Sequence, residues 1–204
     1  TPTPGSQNRI GKTRVFQYSG GNWTQLGADI LGEAEADESG IGIDISDDGT
    51  ILAIGASMND DGPGNDAGHV RVYQYSSGTW TQIGQDIDGE ASDNSSGHSV
   101  SLSSDGNRVA IGAPQQNYNN NQQQQTNVGY VRIFQFSGTS WNQIGNDIYG
   151  DDSYNYSGWS VSLSSDGNTV AIGAYRNDGN GSNSGHVRIF SYNGTSWNQL
   201  GADI

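Results

Sequence analysis

The three histidines are the first place to look for chemistry. His69, His98 and His186 are the only side chains in the 204 residues whose ordinary pKa lies near neutral pH. Cysteine is absent, so disulfides, thiolate nucleophiles and Cys-ligated zinc are excluded. Acid–base or metal chemistry would need a histidine held beside carboxylates. Yet His69 and His186 occupy a recurring position that Tyr130 and Lys12 also fill, and His98 aligns with Trp159 and Ile41. A position that accepts His, Tyr and Lys does not read as a metal ligand or a catalytic base. No Ser-His-Asp set and no paired carboxylates stand apart from the recurring background. The expectation from these residues is that the chain is not an enzyme.

Carboxylates come next. The chain has 22 acidic and 8 basic residues, for a net charge of −14. Such a chain repels phosphate backbones and anionic headgroups, so nucleic acid and membranes are poor partners. Divalent cations and cationic proteins are the natural counterparts. No apolar run approaches the length that spans a bilayer. Asp60, Asp61, Asp66, Asp88, Glu90, Asp93, Asp151 and Asp152 are the candidate metal ligands, with Ca2+ as the hard, oxygen-seeking candidate ion. Asp and Asn also favour turns for backbone reasons. A cation-binding surface and plain solvated turns therefore both remain open.

Other residue types recur at fixed spacing. Arg14, Arg71, Arg132 and Arg188 share one position, and Asp29, Asp86, Asp147 and Asp203 share another. Cross-strand ion pairs, Arg71 with Asp86 and Arg132 with Asp147, are the natural account. Their recurrence makes them architectural, since a catalytic group would occur once. Trp23, Trp80, Trp141 and Trp197 form a third set. These read as packing residues to be substantially buried, or else as sugar platforms. Asn22, Asn94, Asn155, Asn180 and Asn193 each begin Asn-x-Ser/Thr. In a secretory eukaryote these would be glycan acceptors on exposed turns; in a bacterium the motif carries no such meaning.

The elements that hold these residues follow from the repeat. Gly68-His-Val-Arg-Val-Tyr-Gln-Tyr returns at Gly129 and Gly185, with a degenerate copy at Gly11, at intervals of 57, 61 and 56 residues. Each copy is followed by its Trp and then by Gln-Leu/Ile-Gly-x-Asp-Ile. Between copies lie Ser39-Gly-Ile-Gly-Ile-Asp-Ile-Ser, Ser96-Gly-His-Ser-Val-Ser-Leu-Ser and Ser157-Gly-Trp-Ser-Val-Ser-Leu-Ser. Each leads through Asp48-Gly49, Asp105-Gly106 or Asp166-Gly167 to an apolar run ending Gly-Ala. Short β-branched or alternating runs bounded by Gly, Asn, Asp and Ser are strands. Asp-Gly between two of them predicts a hairpin with a type I′ turn. One period thus holds four antiparallel strands, the size of a β-propeller blade. With 31 Gly and only 15% charged residues, the composition suits turns and short strands, and no helix is expected.

These residues also carry a resemblance. Gly-x-Ser-Val, then Val109-Ala-Ile-Gly-Ala-Pro114, then Gly129-Tyr-Val-Arg-Ile-Phe134, resembles FG-GAP repeats, the blades of the integrin-α-type β-propeller. Bacterial and algal surface proteins with Trp-x-Gln-x-Gly-x-Asp-Ile and Ser-Leu-Ser-x-Asp-Gly units look most similar. The resemblance implies an all-β fold of three full blades, about 39–89, 96–150 and 157–204, plus a leading hairpin at 11–30, forming an open arc or part of a larger ring. Strand A would be innermost and strand D outermost. The D-to-A and B-to-C loops would then share one face carrying thirteen of the 22 acids. FG-GAP repeats often hold calcium in an acidic A-to-B loop, but Ser103-Ser-Asp-Gly-Asn107 has one carboxylate and is too short. That site is not carried over.

Residues 1–10, which open Thr-Pro-Thr-Pro-Gly, read as a linker from something upstream, and the Gln/Asn-rich tract 114–128 as a long, mobile B-to-C loop. The function expected is a non-catalytic adhesion or assembly module of a larger extracellular surface protein or filament. Its partner would be protein, through self-association or the rest of a longer chain. The alternative is a carbohydrate-binding propeller. The localisation expected is the cell surface.

Overall fold

The structure is a computed structural model that describes residues 10–115, 118–120 and 123–204. Residues 1–9 of the expected linker, and parts of the Gln/Asn tract, lie outside the described residues.

The described chain is all β. A leading unit holds β1 (Lys12–Thr13), β2 (Phe16–Ser19), β3 (Asn22–Gln25) and β4 (Ile30–Leu31). The first blade holds β5 (Ile43–Ile45), β6 (Ile51–Ala56), β7 (His69–Ser76), β8 (Thr79–Gln82) and β9 (Ile87–Asp88). The second holds β10 (Ser99–Leu102), β11 (Arg108–Ala113), β12 (Tyr118–Asn120), β13 (Gln123–Gln125), β14 (Tyr130–Phe136), β15 (Trp141–Gln143) and β16 (Ile148–Tyr149). The third holds β17 (Ser160–Leu163), β18 (Thr169–Ala174), β19 (His186–Tyr192) and β20 (Trp197–Gln199). Within a blade the order is A-B-C-D, antiparallel throughout, with strand D in two pieces that both pair strand C in the first two blades. The leading unit supplies only the C and D strands. Part of the Gln/Asn tract is a two-stranded ribbon of β12 and β13.

In the first two blades strand B is buried on both faces, because a neighbour covers each side, whereas in the third its burial alternates between buried and half-buried residues. Its large residues, Leu52 and Ile54 in the first blade, pack towards the preceding unit. Its small ones pack towards the next: Ala53 and Ala110 lie in the joints that follow them. At Gly55 a Cβ would sit 1.9 Å from the Gly97 carbonyl oxygen, and at Gly112 2.1 Å from that of Gly158. Adjacent blades meet there backbone to backbone, a contact open only to glycine.

The A-to-B turns differ from the type I′ expectation. Gly49, Gly106 and Gly167 have positive φ but the preceding Asp residues do not. The Gly49 N–H donates to the Ser46 carbonyl, and the Ser46 hydroxyl donates to the Asp48 carboxylate at 2.7 Å. The Asp side chain braces an ordinary turn that closes on glycine, so positive φ is needed only once.

Candidate functional site

The recurring residues meet where one blade joins the next. Trp80, Trp141 and Trp197 are 9%, 3% and 5% exposed. Each indole N–H donates across the joint to the preceding unit: Trp80 to Leu26 O at 3.0 Å, Trp141 to Ile83 O and Trp197 to Ile144 O at 2.9 Å. Each ring lies over a glycine one residue on from that carbonyl. A Cβ at Gly27, Gly84 or Gly145 would come within 2.9, 2.7 or 2.6 Å of the indole Cδ1. Trp23 corrects the expectation of four buried tryptophans. It is 69% exposed, and no described residue offers it the carbonyl and the glycine that the other three pack against.

The arginines also reach across the joint, which corrects the expected Arg71–Asp86 and Arg132–Asp147 pairs. Arg71 Nη2 donates to Leu31 O at 2.9 Å, and Arg71 Nη1 lies 3.2 Å from Glu33. Arg132 donates to Asp88 O at 2.5 Å and faces Glu90 at 3.4 Å. Arg188 donates to Tyr149 O and to Asp151. All three guanidinium groups are buried, and the preceding blade provides an oxygen and a carboxylate for each. Asp86 and Asp147 instead accept from Gln82 and Gln143 of their own blades, at 2.6 and 2.7 Å. Among the described residues of this set, Arg14 alone pairs with the Asp of its own unit, Asp29, at 2.9 and 3.0 Å. That pair holds the Asp29 carboxyl far below the usual carboxylate range.

Beside two of these joints a histidine stands between carboxylates. Glu33, His69 and Asp86 form one group, and Asp151, His186 and Asp203 the other. Among the described residues these are the arrangements that could offer a metal ion three ligands. In the first group His69 Nε2 lies 3.8 Å from Glu33 and Nδ1 4.0 Å from Asp86. Burial holds the His69 imidazole below its ordinary pKa. Glu33 and Asp151 are also held by Arg71 and Arg188, so a fixed positive charge already faces each group. Tyr130 takes the histidine's place at the middle joint. In the sequence these histidines are hidden by the Tyr and Lys that share their position; the acid that recurs two residues after strand D, Glu33, Glu90 and Asp151, is the signal that points to them.

The eight acidic candidates scatter. Of them only Asp151 enters a three-ligand group among the described residues. Asp60, Asp66 and Asp93 approach one another where two loops touch: Asp66 N–H donates to Asp60 at 2.8 Å, and Asp93 N–H to Asn65 O at 2.9 Å. Burial first, then the charges of Asp60 and Asp93, push the Asp66 carboxyl up. Asp61 N–H donates to Asn59, and Asp152 accepts from Ser153 N–H, both local turn contacts. Glu90 belongs to Arg132, and Asp88 serves through its carbonyl.

Among the Asn-x-Ser/Thr asparagines, Asn22, Asn180 and Asn193 are exposed. Asn94 and Asn155 are only 2% and 4% exposed, so in the folded chain they cannot carry a glycan. Their loops tuck under the B-to-C loops, which the turn-like sequence does not reveal.

A further cluster was not anticipated. Trp159 packs at a tilt against His98, with ring centres 4.3 Å apart, and against Tyr175 at 4.6 Å. The Arg176 guanidinium lies 5.2 Å from the ring centres of Tyr156 and Tyr175. Trp159 and Tyr175 are exposed and border an open cavity of about 420 Å³.

Residues 150–190 match the FG-GAP repeat. This segment holds the D-to-A loop, strands A and B and most of strand C of the third blade. No curated protein matches the chain. Its fold is similar to that of a candidate 6-phosphogluconolactonase from Bacteroides uniformis ATCC 8492, with a TM-score of 0.63 and 13% identity over 96% of this chain and 49% of that one. It is also similar to a candidate 6-phosphogluconolactonase from Bacteroides fragilis NCTC 9343, with a TM-score of 0.57 and 13% identity over 86% of this chain and 41% of that one. The chain thus spans about half the length, or less, of these structures. At such identity the likeness shows the fold, a propeller-type array of blades. It also corrects the expectation that the chain is not an enzyme: chains named for an enzyme are built on the same array, so the repeat does not exclude catalysis.

Proposed function

We propose that this propeller-type repeat module binds and assembles proteins outside the cell, on a surface or in a filament, with its acidic loop face as the partner surface. The reading is supported above all by how that face is made. B-to-C loops dock on D-to-A loops through Met58 N–H to Asp37 O, Ser95 N–H to Asp66 O and Tyr156 N–H to Asn127 O. Successive loops thereby join into one broad, pre-ordered surface that suits a protein more than a small molecule. Calcium is the proposed bridging ion: Asp60, Asp66 and Asp93 approach one another without forming a three-ligand group by themselves, so oxygens of the partner would complete the coordination. Labelled chain applied to intact cells of the source should bind saturably, and more tightly with calcium. Asn at all three positions should abolish the calcium effect. Absence of saturable binding, with and without calcium, would overturn the reading.

A second reading is favoured by the cluster of Trp159, Tyr175 and Arg176. An exposed Trp–Tyr pair beside a guanidinium is a platform for the apolar face of a sugar ring. A glycan array decides between the two: specific sugar binding lost in Trp159→Ala would favour carbohydrate, and protein binding unaffected by free sugar the first reading.

A further inference from the structure

His69 is 1% exposed, yet its Nδ1 has no hydrogen-bond partner. A buried polar atom left unpaired is costly and calls for a reason. Two carboxylate oxygens face the ring: Glu33 Oε2 stands 3.8 Å from Nε2, and Asp86 Oδ2 stands 4.0 Å from Nδ1. Both distances are too long for hydrogen bonds. The other oxygen of each acid is already held. Arg71 Nη1 lies 3.2 Å from Glu33 Oε1, and Gln82 Nε2 donates to Asp86 Oδ1 at 2.6 Å. Each acid is thus anchored by one oxygen and turns the other towards the imidazole.

The third blade repeats the plan. Arg188 donates to Asp151 Oδ1, and Gln199 Nε2 donates to Asp203 Oδ1 at 2.7 Å. Asp203 Oδ2 stands 3.3 Å from His186 Nδ1. The middle joint has no histidine and serves as an internal control. Gln143 donates to Asp147 Oδ1 at 2.7 Å like its counterparts, but Asp147 Oδ2 accepts from the Tyr149 hydroxyl at 2.9 Å. Where Tyr130 replaces the histidine, the second oxygen is used within its own blade; where the histidine is present, that oxygen faces the ring. In the first blade Asp88 takes the place of Tyr149 and adds a further carboxylate.

We infer that Glu33, His69 and Asp86, and likewise Asp151, His186 and Asp203, each bind one divalent transition-metal ion of the zinc class. One imidazole nitrogen with two carboxylate oxygens suits zinc and leaves a fourth position for water. A nitrogen ligand disfavours calcium and magnesium, which take oxygens. In each group the three ligand atoms lie within 4.8 Å of one another. Ligands on a tetrahedral zinc stand roughly 3–3.5 Å apart. The His186–Asp203 pair already has that spacing, and the His69 group needs only to tighten. Charge agrees: Glu33, Asp86 and Asp88 act on His69 against Arg71 alone, an excess that a divalent ion balances. Glu33 is exposed and Asp86 half-buried, so an ion has a way in. Arg71 and Gln82 act as the outer partners that orient the ligands. Glu33 and Asp151 come from the preceding unit, so each ion ties a blade to the unit before it. The inference goes beyond the assembly reading and is independent of the calcium proposed at Asp60, Asp66 and Asp93.

The test is calorimetric titration of zinc chloride into the chelator-treated 204-residue chain, made without a histidine tag, at neutral pH. Two ions per chain are expected at micromolar zinc, undisturbed by millimolar calcium or magnesium. His69→Tyr and His186→Tyr should each remove one ion, and together both. The middle joint shows that the fold accepts a tyrosine there, since Tyr130 is fully buried. Zinc should raise the thermal midpoint of the native chain and leave that of the double variant unchanged. If a tyrosine variant fails to fold, Asp86→Asn or Asp203→Asn takes its place. A chain with no saturable zinc uptake, or no rise in midpoint, would overturn the inference. So would uptake that survives both substitutions or that calcium displaces. A single ion would overturn it for the joint whose variant changes nothing.

Discussion

Trp141 and Trp23 occupy one position of the repeat in opposite surroundings, and they make a controlled comparison. Trp141→Ala opens a cavity between two blades and should cost about 3–5 kcal/mol. Trp23→Ala removes an exposed ring and should change stability by less than about 0.5 kcal/mol. Urea unfolding of the two variants measures the difference, and similar losses would mean that the joint is not what buries the indole. A second residue-scale effect lies in the turns. Hydrogen bonds from Ser164 and from Asn168 hold the exposed Asp166 carboxyl at about 2, below its ordinary 3.8. The folded state therefore prefers the ionised form. The resulting stabilisation is complete above about pH 5 and is lost as the pH falls towards 2. Asp48 and Asp105 are lowered in the same direction by Ser46 and Ser103. Urea midpoints should fall between about pH 5 and about pH 2, and Asp166→Asn should flatten part of that slope.

At the scale of elements, the clip between strand D and the next indole can be tested at its glycine. Gly145→Ala and Gly201→Ala place the same methyl group at nearly the same φ, so both incur about 1–2 kcal/mol of left-handed strain. Only at Gly145 does the methyl also meet an indole, 2.6 Å away. Gly145→Ala should therefore be clearly the more destabilising in chemical denaturation, and equal losses would argue against the clip. The contrast also shows what could be read beforehand. Strand runs, hairpins and the blade period were legible because β-branched alternation and Asp-Gly are local signals. The joint was not. The spacing of Trp141 says that it recurs, but its hydrogen-bond partner, Ile83, lies 58 positions back in another sheet. For the same reason the spacing pairs Arg71 with Asp86 of its own blade, whereas its carbonyl acceptor is Leu31. Asn94 and Asn155 looked like turn residues because loop-on-loop docking leaves no periodic trace.

As a whole molecule, the described chain is a row of units whose cores lie between neighbouring blades as well as within them. In such arrays stability is close to a sum of unit and joint contributions. The joints are made of few parts: an indole clip, a buried arginine, and a backbone-to-backbone contact at glycine. This has a consequence for how the molecule bears load. Stretched between its ends, it should not give way at once, because among the described residues no strand runs from one unit into another. Each joint should break and release its own blade, and the intact remainder should keep its fold. A force–extension trace should then be a sawtooth whose steps reflect the 56 to 61 residue period, about 200 Å of chain per event. A single all-or-none rupture of the full length would show that the blades share more than their neighbours. A chain that yields in steps dissipates a pull that would snap a rigid tether, and it can reseal one blade at a time when the pull stops.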